Sequence, residues 1–177
     1  KKALYTKLIT NPKNLGKGCS VKKGIEHSTG DFVIFQDADL EYDPIEFKKF
    51  IKIFNEFNAD GIIGSRFIYS EYTRSHNFFH KIGNNIITLF FNILYNTTFT
   101  DIYSCYFAFK RELLNPKTLR TEGFEQHAEI LCKVVKNGKK FYEVPISYSG
   151  RSVNEGKKIK WYHFFSVLFQ IMLGKFR

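Results

Sequence analysis

Short apolar runs that alternate with helix-forming segments constrain the fold of this chain more than any other feature. Residues 31–36 (DFVIFQ) and 61–64 (GIIG) have the length and composition of buried strands, and the segment between them repeats apolar residues at three- and four-residue spacing. A weaker strand over 3–10 and a helix over 17–28 come before them. This order of elements predicts an α/β domain with a mostly parallel sheet flanked by helices.

The helix between the two apolar runs has a strong start signal. Asp43 can cap the helix, Pro44 suits its first position, and Glu46 can complete a capping box with Asp43. The apolar spacing predicts one buried face for this helix. The residues expected on that face are Phe47, Phe50, Ile51, Phe54 and Phe57.

The second half of the chain is less regular but continues the same architecture. Its patterns predict helices over 78–95, 124–136 and 161–173, and strands over 103–110 and 140–144. The helix over 78–95 has a wide apolar face. The residues of that face are Phe78, Ile82, Ile86, Leu89, Phe90 and Ile93.

Composition indicates a globular protein with an anionic partner. No linker or repeat divides the chain, so we expect one domain over 1–160 and an apolar C-terminal helix over 161–177. Lys and Arg exceed Asp and Glu by 27 − 17 = 10, which favours nucleic acid, an anionic membrane or a phosphorylated substrate, unless the surplus is only a solvated surface. The three widely spaced cysteines fit neither a disulfide framework nor a zinc site, which indicates reduced thiols of a cytoplasmic protein.

A pair of carboxylates gives the strongest indication of chemistry. Asp37 and Asp39 follow the run 31–36, at the C-terminal end of a predicted strand, and ligands bind at that edge of open α/β sheets. Carboxylates this close repel each other unless a cation lies between them, and Mg²⁺ or Mn²⁺ prefers such oxygen ligands and shares them with substrate phosphates. Glu41 continues the acidic run. The alternative is an exposed acidic turn that caps the next helix.

Several further motifs occur in a fixed order around this acidic pair. They are NLGKG (14–18), GDFVIFQDADLEYDP (30–44), GSRF (64–67), DIYSCYFAFKR (101–111), GFE with Glu129 (123–129), EVPI (143–146), GRS (150–152) and EGKKI (155–159). Together they resemble the family-two glycosyltransferases of the GT-A fold, and within them the dolichol-phosphate-mannose-synthase-like, polyprenyl-phosphate branch. These enzymes begin with a strand and loop that hold the nucleotide base, so the resemblance implies a GT-A domain that is incomplete at its N-terminus.

The resemblance implies roles for individual residues. Asp37 and Asp39 would hold Mg²⁺ or Mn²⁺ on the nucleotide diphosphate, with Glu41 as a third ligand and Asp39 as a catalytic residue. Arg66 and Arg74 would be catalytic residues that bind the acceptor phosphate, because arginine forms forked hydrogen bonds to phosphate oxygens. The residues expected at the nucleotide or its diphosphate are Lys17, Arg151, Lys157 and Lys158.

Each of these basic residues also has a purely structural explanation. Lys17 lies between two glycines but not in a P-loop, so it can equally be structural. Arg66 can pair with Glu71 or Asp60 on the surface. The basic loop over 151–158 can simply be solvated.

The resemblance implies an inverting transfer of a hexose from a GDP- or UDP-linked sugar to a polyprenyl or dolichyl phosphate, dependent on a divalent metal. A lipid phosphate is largely ionised near neutral pH, so its direct attack on the anomeric carbon needs no strong base. A sugar hydroxyl as acceptor would require a carboxylate base, for which Glu125 and Glu129 are the candidates, although Glu125 suits a helix N-terminus. The alternatives are a glycosyltransferase acting on a hydroxyl of a surface glycan and a non-catalytic remnant of such an enzyme.

The two most apolar helices predict contact with a membrane surface. The helices over 78–95 and 161–173 can lie in the bilayer interface, or they can pack inside the domain or in a dimer. The basic residues expected near anionic headgroups are Lys157, Lys158, Lys160, Lys175 and Arg177. We therefore expect a cytoplasmic protein that is peripherally associated with the membrane. No nucleic-acid-binding motif accompanies the positive charge, so nucleic acid is not an expected partner.

Overall fold

The computed structural model describes residues 5–68, 78–150 and 163–177, which form a sheet with helices on both faces. The helices are α1 (Gly16–Glu26), α2 (Phe47–Phe57), α3 (Phe78–Tyr95), α4 (Gln126–Asn137) and α5 (His163–Phe176). The strands are β1 (Phe32–Ile34), β2 (Gly61–Ser65), β3 (Phe107–Lys110) and β4 (Phe141–Pro145). The predicted alternation of helix and strand from residue 17 onward is confirmed.

The sheet of the described residues has the strand order β1–β3–β2–β4. Strand β3 is antiparallel to both neighbours, with Val33 opposite Phe109 and Ile62 opposite Ala108, whereas β2 and β4 are parallel. Three strands therefore run in one direction and β3 runs against them. The predicted α/β class is confirmed, and the mostly parallel sheet is corrected to a mixed one. The alternating pattern over 103–110 indicates a strand but does not specify its direction or its neighbours.

The alternation of side chains in β3 divides the core into two layers. Phe107 and Phe109 point to the face covered by α1, α3, α4 and α5, while Tyr106 and Ala108 point to the face covered by α2. All four side chains are buried. Burying a phenylalanine side chain stabilises a fold by about 2–3 kcal/mol. This central strand therefore anchors both layers, and because β1 and β2 are both antiparallel to it, on its two sides, both end at the same edge of the sheet.

A predicted strand and part of a predicted buried helix face are exposed. Residues 5–10 form no strand and are exposed. In α2, Phe50 and Phe54 are buried, but Ile51 and Phe57 are largely exposed, because the short strands beneath the helix cover only a narrow stripe.

An apolar cavity of about 110 Å³ opens beside β1, which is one edge of the described sheet. Its lining residues include Phe32, Ile34, Phe47 and Ile51.

Asp43 provides the predicted cap, at the 3₁₀ turn that leads into α2, but the capping box with Glu46 is wrong. The Asp43 carboxylate accepts a hydrogen bond from the Ile45 amide at 2.9 Å, and a 3₁₀ turn over Pro44–Glu46 precedes the helix. Glu46 is buried; its carboxylate accepts a hydrogen bond from the Ser147 amide at 3.3 Å and pairs with Lys49. Glu46 therefore ties α2 to the segment after β4.

Helix α3 has the predicted bounds, but its buried face is not the predicted apolar face. It buries Ile87, Thr88 and Phe91, and it contacts α5, where the Tyr95 hydroxyl donates a hydrogen bond to the Ile171 carbonyl at 3.3 Å. Most of the predicted apolar positions face solvent. They are Phe78, Ile82, Ile86, Leu89 and Ile93. Among the residues whose structure is described, no helix has the length and apolar character needed to cross a membrane.

Candidate active site

Strand β1 leads into an acidic turn, residues 37–41. The Asp39 carboxylate accepts a hydrogen bond from the Glu41 amide at 3.3 Å. Leu40 between them has a φ of 62°, and its side chain is 90% exposed. A leucine in this left-handed region costs about 1–2 kcal/mol, and strain of this kind concentrates at functional sites. The turn that carries the three carboxylates therefore has a backbone conformation that its local sequence does not favour by itself.

Lys17, at the start of α1, pairs with Asp37 of the acidic turn. Its Nζ lies 2.8 Å from the carboxylate of Asp37 and 3.8 Å from the Sγ of Cys105. Burial alone would lower the pKa of Lys17, but its surroundings, including Asp37, raise it above its usual value. Burial alone would raise the pKa of Asp37, but Lys17 holds it below its usual value. Both groups are therefore charged at neutral pH. The ammonium group of Lys17 thus pairs with one carboxylate of the acidic turn.

The glycines beside Lys17 allow α1 to approach the segment before α4. The Gly18 amide donates a hydrogen bond to the Glu122 carbonyl at 2.9 Å, and a Cβ on Gly18 would lie 2.6 Å from backbone atoms of Glu122. Gly16 has a φ of 85°, in the region that favours glycine. The two glycines therefore permit a close backbone contact at the point from which Lys17 extends.

Arg66 follows β2, and Asp101 holds its guanidinium. Its Nε donates to Asp101 Oδ2 at 2.7 Å, its Nη2 donates to Oδ1 at 2.8 Å, and its backbone amide donates to Oδ2 at 3.0 Å. Burial alone would lower the pKa of Arg66, but the charge of Asp101 raises it well above its usual value. The suggested partner Asp60 is wrong, because Asp60 pairs with Lys110 at 3.0 Å. The other suggested partner, Glu71, lies outside the described residues.

Two tyrosines connect the acidic turn to Arg66. The Tyr148 hydroxyl donates a hydrogen bond to Glu41 Oε2 at 3.0 Å, and the Arg66 guanidinium carbon lies 5.1 Å from the centre of the Tyr148 ring. Tyr42 packs against Tyr148 with ring centres 5.0 Å apart, and its hydroxyl accepts a hydrogen bond from the Cys105 amide at 3.4 Å. The sequence pattern gives these tyrosines no role, because nothing distinguishes them from the other aromatic residues of a chain with 20 Phe and 10 Tyr.

The two glutamates predicted on the acceptor side have structural contacts. Glu129 is buried, and its carboxylate accepts hydrogen bonds from the Arg120 amide at 3.0 Å and from the amide and hydroxyl of Thr121 at 2.9 and 2.7 Å. Glu125 immediately precedes α4, and its carboxylate accepts a hydrogen bond from the Gly123 amide at 3.3 Å. Glu129 therefore stabilises the loop before α4. The helix-end interpretation of Glu125 agrees with its position.

Four of the predicted site residues belong to segments other than those described here. Arg74, Arg151, Lys157 and Lys158 lie outside the described residues. Within the described part, Asp37, Glu41 and Arg66 are joined by a continuous chain of contacts through Lys17, Cys105 and the two tyrosines. Their assigned roles remain predictions.

His127 on α4 lies near the acidic turn and gives a pH prediction. Burial, with help from the charge of Lys17, lowers the pKa of His127 from 6.5 to about 4. The unfolded chain therefore takes up this proton first as the pH falls below 6.5, and the stability present above that pH is lost between 6.5 and 4. Because the ring keeps some exposure, we expect the free energy of unfolding to fall by about 1–2 kcal/mol between pH 7 and pH 5.

Urea unfolding at pH 7, 6 and 5 measures this effect. The variant His127→Gln should lose most of the pH dependence over this range. The variant His27→Gln is the matched control, because His27 is exposed at the end of α1, and it should unfold like the wild type. An unchanged pH dependence in His127→Gln would contradict the assignment.

The carboxylates of the acidic turn fit a divalent cation that is shared with a diphosphate. Asp37, Asp39 and Glu41 offer the hard oxygen ligands that Mg²⁺ and Mn²⁺ prefer. Over the ranges 5–68, 78–150 and 163–177, no three His, Cys, Asp or Glu side chains are preassembled as a metal site. Mg²⁺ is commonly bound by only one or two carboxylates, and substrate phosphates complete its coordination. The donor set therefore suits a cation whose coordination is completed by substrate phosphates.

Comparisons with known proteins identify the family of the chain and agree with its fold. The sequence matches the glycosyl transferase family 2 over residues 4–116, which is more than half of the chain. The protein therefore belongs to glycosyl transferase family 2, and the family predicted from the sequence is confirmed.

Three curated relatives come from archaea. Glycosyltransferase AglJ of Haloferax volcanii is 31% identical over 137 residues, which cover 77% of this chain and 45% of the relative. The low-salt glycan biosynthesis hexosyltransferase Agl6 of the same organism is 26% identical, covering 81% of this chain and 35% of the relative. The dolichol-phosphate mannosyltransferase of Pyrococcus furiosus is 28% identical, covering 85% and 43%. The chain therefore spans less than half the length of these relatives.

Solved structures of glucosyl-3-phosphoglycerate synthase from Mycobacterium tuberculosis have a similar fold. The complex with phosphoglyceric acid superposes with a TM-score of 0.64 at 15% identity, over 94% of this chain and 56% of the synthase. The complex with Mn²⁺, uridine diphosphate and phosphoglyceric acid also gives 0.64, over 90% and 54%. This likeness confirms the GT-A-like α/β fold.

Proposed function

We propose that the protein transfers a hexose from a nucleotide-diphosphate sugar to a polyprenyl or dolichyl phosphate, with inversion and with the help of a divalent cation. The observation that supports this proposal is that Tyr148 contacts both Glu41 of the acidic turn after β1 and Arg66 after β2, so that carboxylates suited to a metal-bound diphosphate and a fixed guanidinium share one neighbour. The family supports the reaction class. The dolichol-phosphate mannosyltransferase among the relatives supports the lipid phosphate acceptor.

In this proposal the acidic turn binds the donor. Asp39 and Asp37, with Glu41 as a third candidate, would hold Mg²⁺ or Mn²⁺ against the diphosphate, and the cation would stabilise the charge that develops on the leaving diphosphate. The synthase of similar fold was crystallised with Mn²⁺ and uridine diphosphate, which supports a divalent cation as the partner of the donor. Lys17, fixed at Asp37, adds a positive charge beside the diphosphate. Arg151, Lys157 and Lys158 are proposed to complete the diphosphate site.

Arg66 and Arg74 are proposed to receive the acceptor phosphate. The guanidinium of Arg66 has a fixed position, because it donates two hydrogen bonds to Asp101, of 2.7 and 2.8 Å. A fixed cation needs no reorganisation when the acceptor arrives, which favours catalysis by positioning and by charge stabilisation. An ionised phosphate oxygen would then attack the anomeric carbon directly from the side opposite the leaving diphosphate.

Transfer to a hydroxyl of a surface glycan is the second candidate, and the described residues favour it less. Such a reaction requires a carboxylate base that can reach the hydroxyl. Of the two candidates, Glu129 is buried and accepts hydrogen bonds from three donors of the loop at residues 120–121, which are the two backbone amides and the Thr121 hydroxyl. Glu125 packs at the start of α4. Both carboxylates are thus engaged by neighbouring groups of the protein, whereas a general base must reach the acceptor hydroxyl. Transfer to an ionised phosphate needs no general base.

A transfer assay tests the proposed function. Radiolabelled GDP-mannose, GDP-glucose, UDP-glucose and UDP-N-acetylglucosamine are incubated with the 177-residue chain, Mn²⁺ and either a polyprenyl phosphate or a soluble glycan. We expect lipid-soluble label that depends on the phosphate acceptor and disappears with chelator. Label in the glycan alone would favour the second candidate. No transfer to either acceptor, while the folded chain still binds nucleotide, would favour a non-catalytic remnant.

We also propose that α3 and α5 attach the protein peripherally to the cytoplasmic face of a membrane. The exposed apolar residues of α3 recur every three or four positions and form one stripe opposite its buried face. Helix α5 has a matching stripe formed by Phe165, Phe169, Met172 and Phe176, opposite the buried Val167 and Ile171. Neither helix contains an acidic residue, and Lys81, Lys175 and Arg177 supply positive charge. This combination suits anionic headgroups over an apolar boundary.

Vesicle flotation tests the membrane surface. The double variant Leu89→Asp/Ile93→Asp should bind vesicles containing phosphatidylglycerol at least about 10-fold more weakly than the wild type, because two exposed apolar contacts are replaced by charges that the headgroups repel. Ile45→Asp is the matched control, since Ile45 is equally exposed but lies ahead of α2. Equal flotation of all three proteins would contradict the proposal. A wild type that dimerises through the stripe and does not float would favour a protein interface.

The division of the chain is part of the same proposal. Residues 1–160 would form the catalytic domain and residues 161–177 the membrane-facing helix, although α5 also packs on α3 and α4.

A further inference from the structure

Tyr148 lies where three separate parts of the candidate site meet. It follows β4 in sequence, and its side chain is 8% exposed. Its ring packs against Tyr42, with ring centres 5.0 Å apart, and Tyr42 in turn stacks on Tyr106 at 4.6 Å. All three rings belong to the core layer that α2 covers. The position of the Tyr148 ring is therefore fixed by packing.

The hydroxyl of Tyr148 orients Glu41. It donates a hydrogen bond to Glu41 Oε2 at 3.0 Å, and the neighbouring Ser149 amide donates to the Glu41 carbonyl at 3.0 Å. The side chain and the backbone of Glu41 are thus both held by the segment after β4. Carboxylates that ligate a cation are commonly oriented by such an outer hydrogen bond.

The ring of Tyr148 packs against the guanidinium of Arg66. The Arg66 guanidinium carbon lies 5.1 Å from the ring centre, within the range of a cation–π contact. Asp101 holds the edge of the same guanidinium through its Nε and Nη2 atoms. Arg66 is therefore placed between a carboxylate and an aromatic ring, and a single tyrosine touches both Arg66 and Glu41.

We propose that Tyr148 is a positioning residue that sets the distance between the acidic turn and Arg66. This inference rests on the proposed function, in which the two groups act on the donor diphosphate and the acceptor phosphate. Through its hydroxyl, Tyr148 keeps Glu41 turned toward the donor cation. Through its ring, it keeps Arg66 at a fixed separation from the same turn. Nothing in the linear sequence links these groups, because Tyr148 is far from both.

Tyr148→Phe tests this role, because it removes the hydroxyl and leaves the ring against Arg66. We expect kcat for sugar transfer to fall about 10-fold, with little change in KM for the acceptor, and the Mn²⁺ concentration for half-maximal binding of GDP or UDP in calorimetry to rise about 10-fold. Tyr142→Phe is the matched control, since Tyr142 lies in β4 and packs on Phe57 with ring centres 5.2 Å apart. It should change neither value.

A double-mutant cycle identifies the partner through which Tyr148 acts. In a Glu41→Gln background, Tyr148→Phe should produce no further change in the Mn²⁺ requirement, because the oriented carboxylate is already absent. Full and independent losses in both backgrounds would overturn the proposal. So would equal Mn²⁺ requirements for Tyr148→Phe and Tyr142→Phe, or a loss that is matched by a drop in the thermal midpoint of the metal-free protein.

The calorimetric measurement separates this inference from the proposed function. If the wild type transfers no sugar to any acceptor, the proposed function fails, while the Mn²⁺ requirement for nucleotide binding still reports on Tyr148. If the wild type transfers sugar and the Tyr148→Phe variant behaves like the control, only the positioning role fails.

Discussion

Replacing Asp101 by asparagine is expected to lower the free energy of unfolding by about 3–5 kcal/mol, because it leaves a buried arginine without its counter-charge. The Asp101 side chain is fully buried and accepts hydrogen bonds from the amide, Nε and Nη2 of Arg66 and from the Asn84 side chain. Asparagine has nearly the same size, but it turns an NH₂ group toward donors that require an acceptor. The guanidinium of Arg66 would then be desolvated and only partly paired.

Urea unfolding at pH 7 measures this effect, with Glu56→Gln as the control. Glu56 forms an exposed ion pair with Lys52 on α2 at 3.9 Å, and losing such a pair should cost at most about 0.5 kcal/mol. A loss below about 1 kcal/mol for Asp101→Asn would contradict the view that Arg66 depends on this carboxylate.

Replacing Asp39 by asparagine is expected to reduce sugar transfer by about 100-fold while changing stability by at most about 1 kcal/mol. Asparagine keeps an oxygen that can accept the hydrogen bond from the Glu41 amide, so the turn should persist. It removes the negative charge that a divalent cation needs, and stabilisation of a leaving diphosphate is lost with it. A large loss of rate at nearly unchanged stability identifies a functional residue.

Asp43→Asn is the matched control for this experiment. Asp43 follows the acidic turn in sequence and accepts a hydrogen bond from the Ile45 amide, just ahead of α2. Asparagine caps helices about as well as aspartate, so Asp43→Asn should retain both rate and stability. Similar losses of rate in the two variants would mean that the acidic segment acts through its overall charge, and not through Asp39.

The order and type of most elements follow from local pattern. The apolar run at 61–64 is a fully buried strand, and the spacing over 78–95 gives a helix with the predicted bounds. These predictions succeed because strand and helix have different periods, which are visible in a single segment. The position of Asp37 and Asp39 after β1 also follows, because a strand and its end are local features.

Properties that depend on distant partners could not be predicted from the pattern. Spacing identified an apolar face on α3 but not its environment, and the structure exposes Leu89 and Ile93 while burying Phe91. The pairing of Arg66 with Asp101 spans 35 residues, and no local signal joins them. Glu129 resembled a candidate base, since only the tertiary structure brings the loop at residues 120–121 to its carboxylate. The direction of β3 is unpredictable for the same reason.

The central claim is that a divalent cation at the acidic turn holds a nucleotide diphosphate, and one measurement tests it most directly. Thermal unfolding of the wild type and of Asp39→Asn is followed with a panel of GDP- and UDP-linked sugars, with Mn²⁺ and with chelator. We predict that at least one nucleotide sugar raises the midpoint of the wild type only when Mn²⁺ is present, and that the rise largely disappears in Asp39→Asn. Equal rises with chelator, or equal rises in the two proteins, would contradict the account.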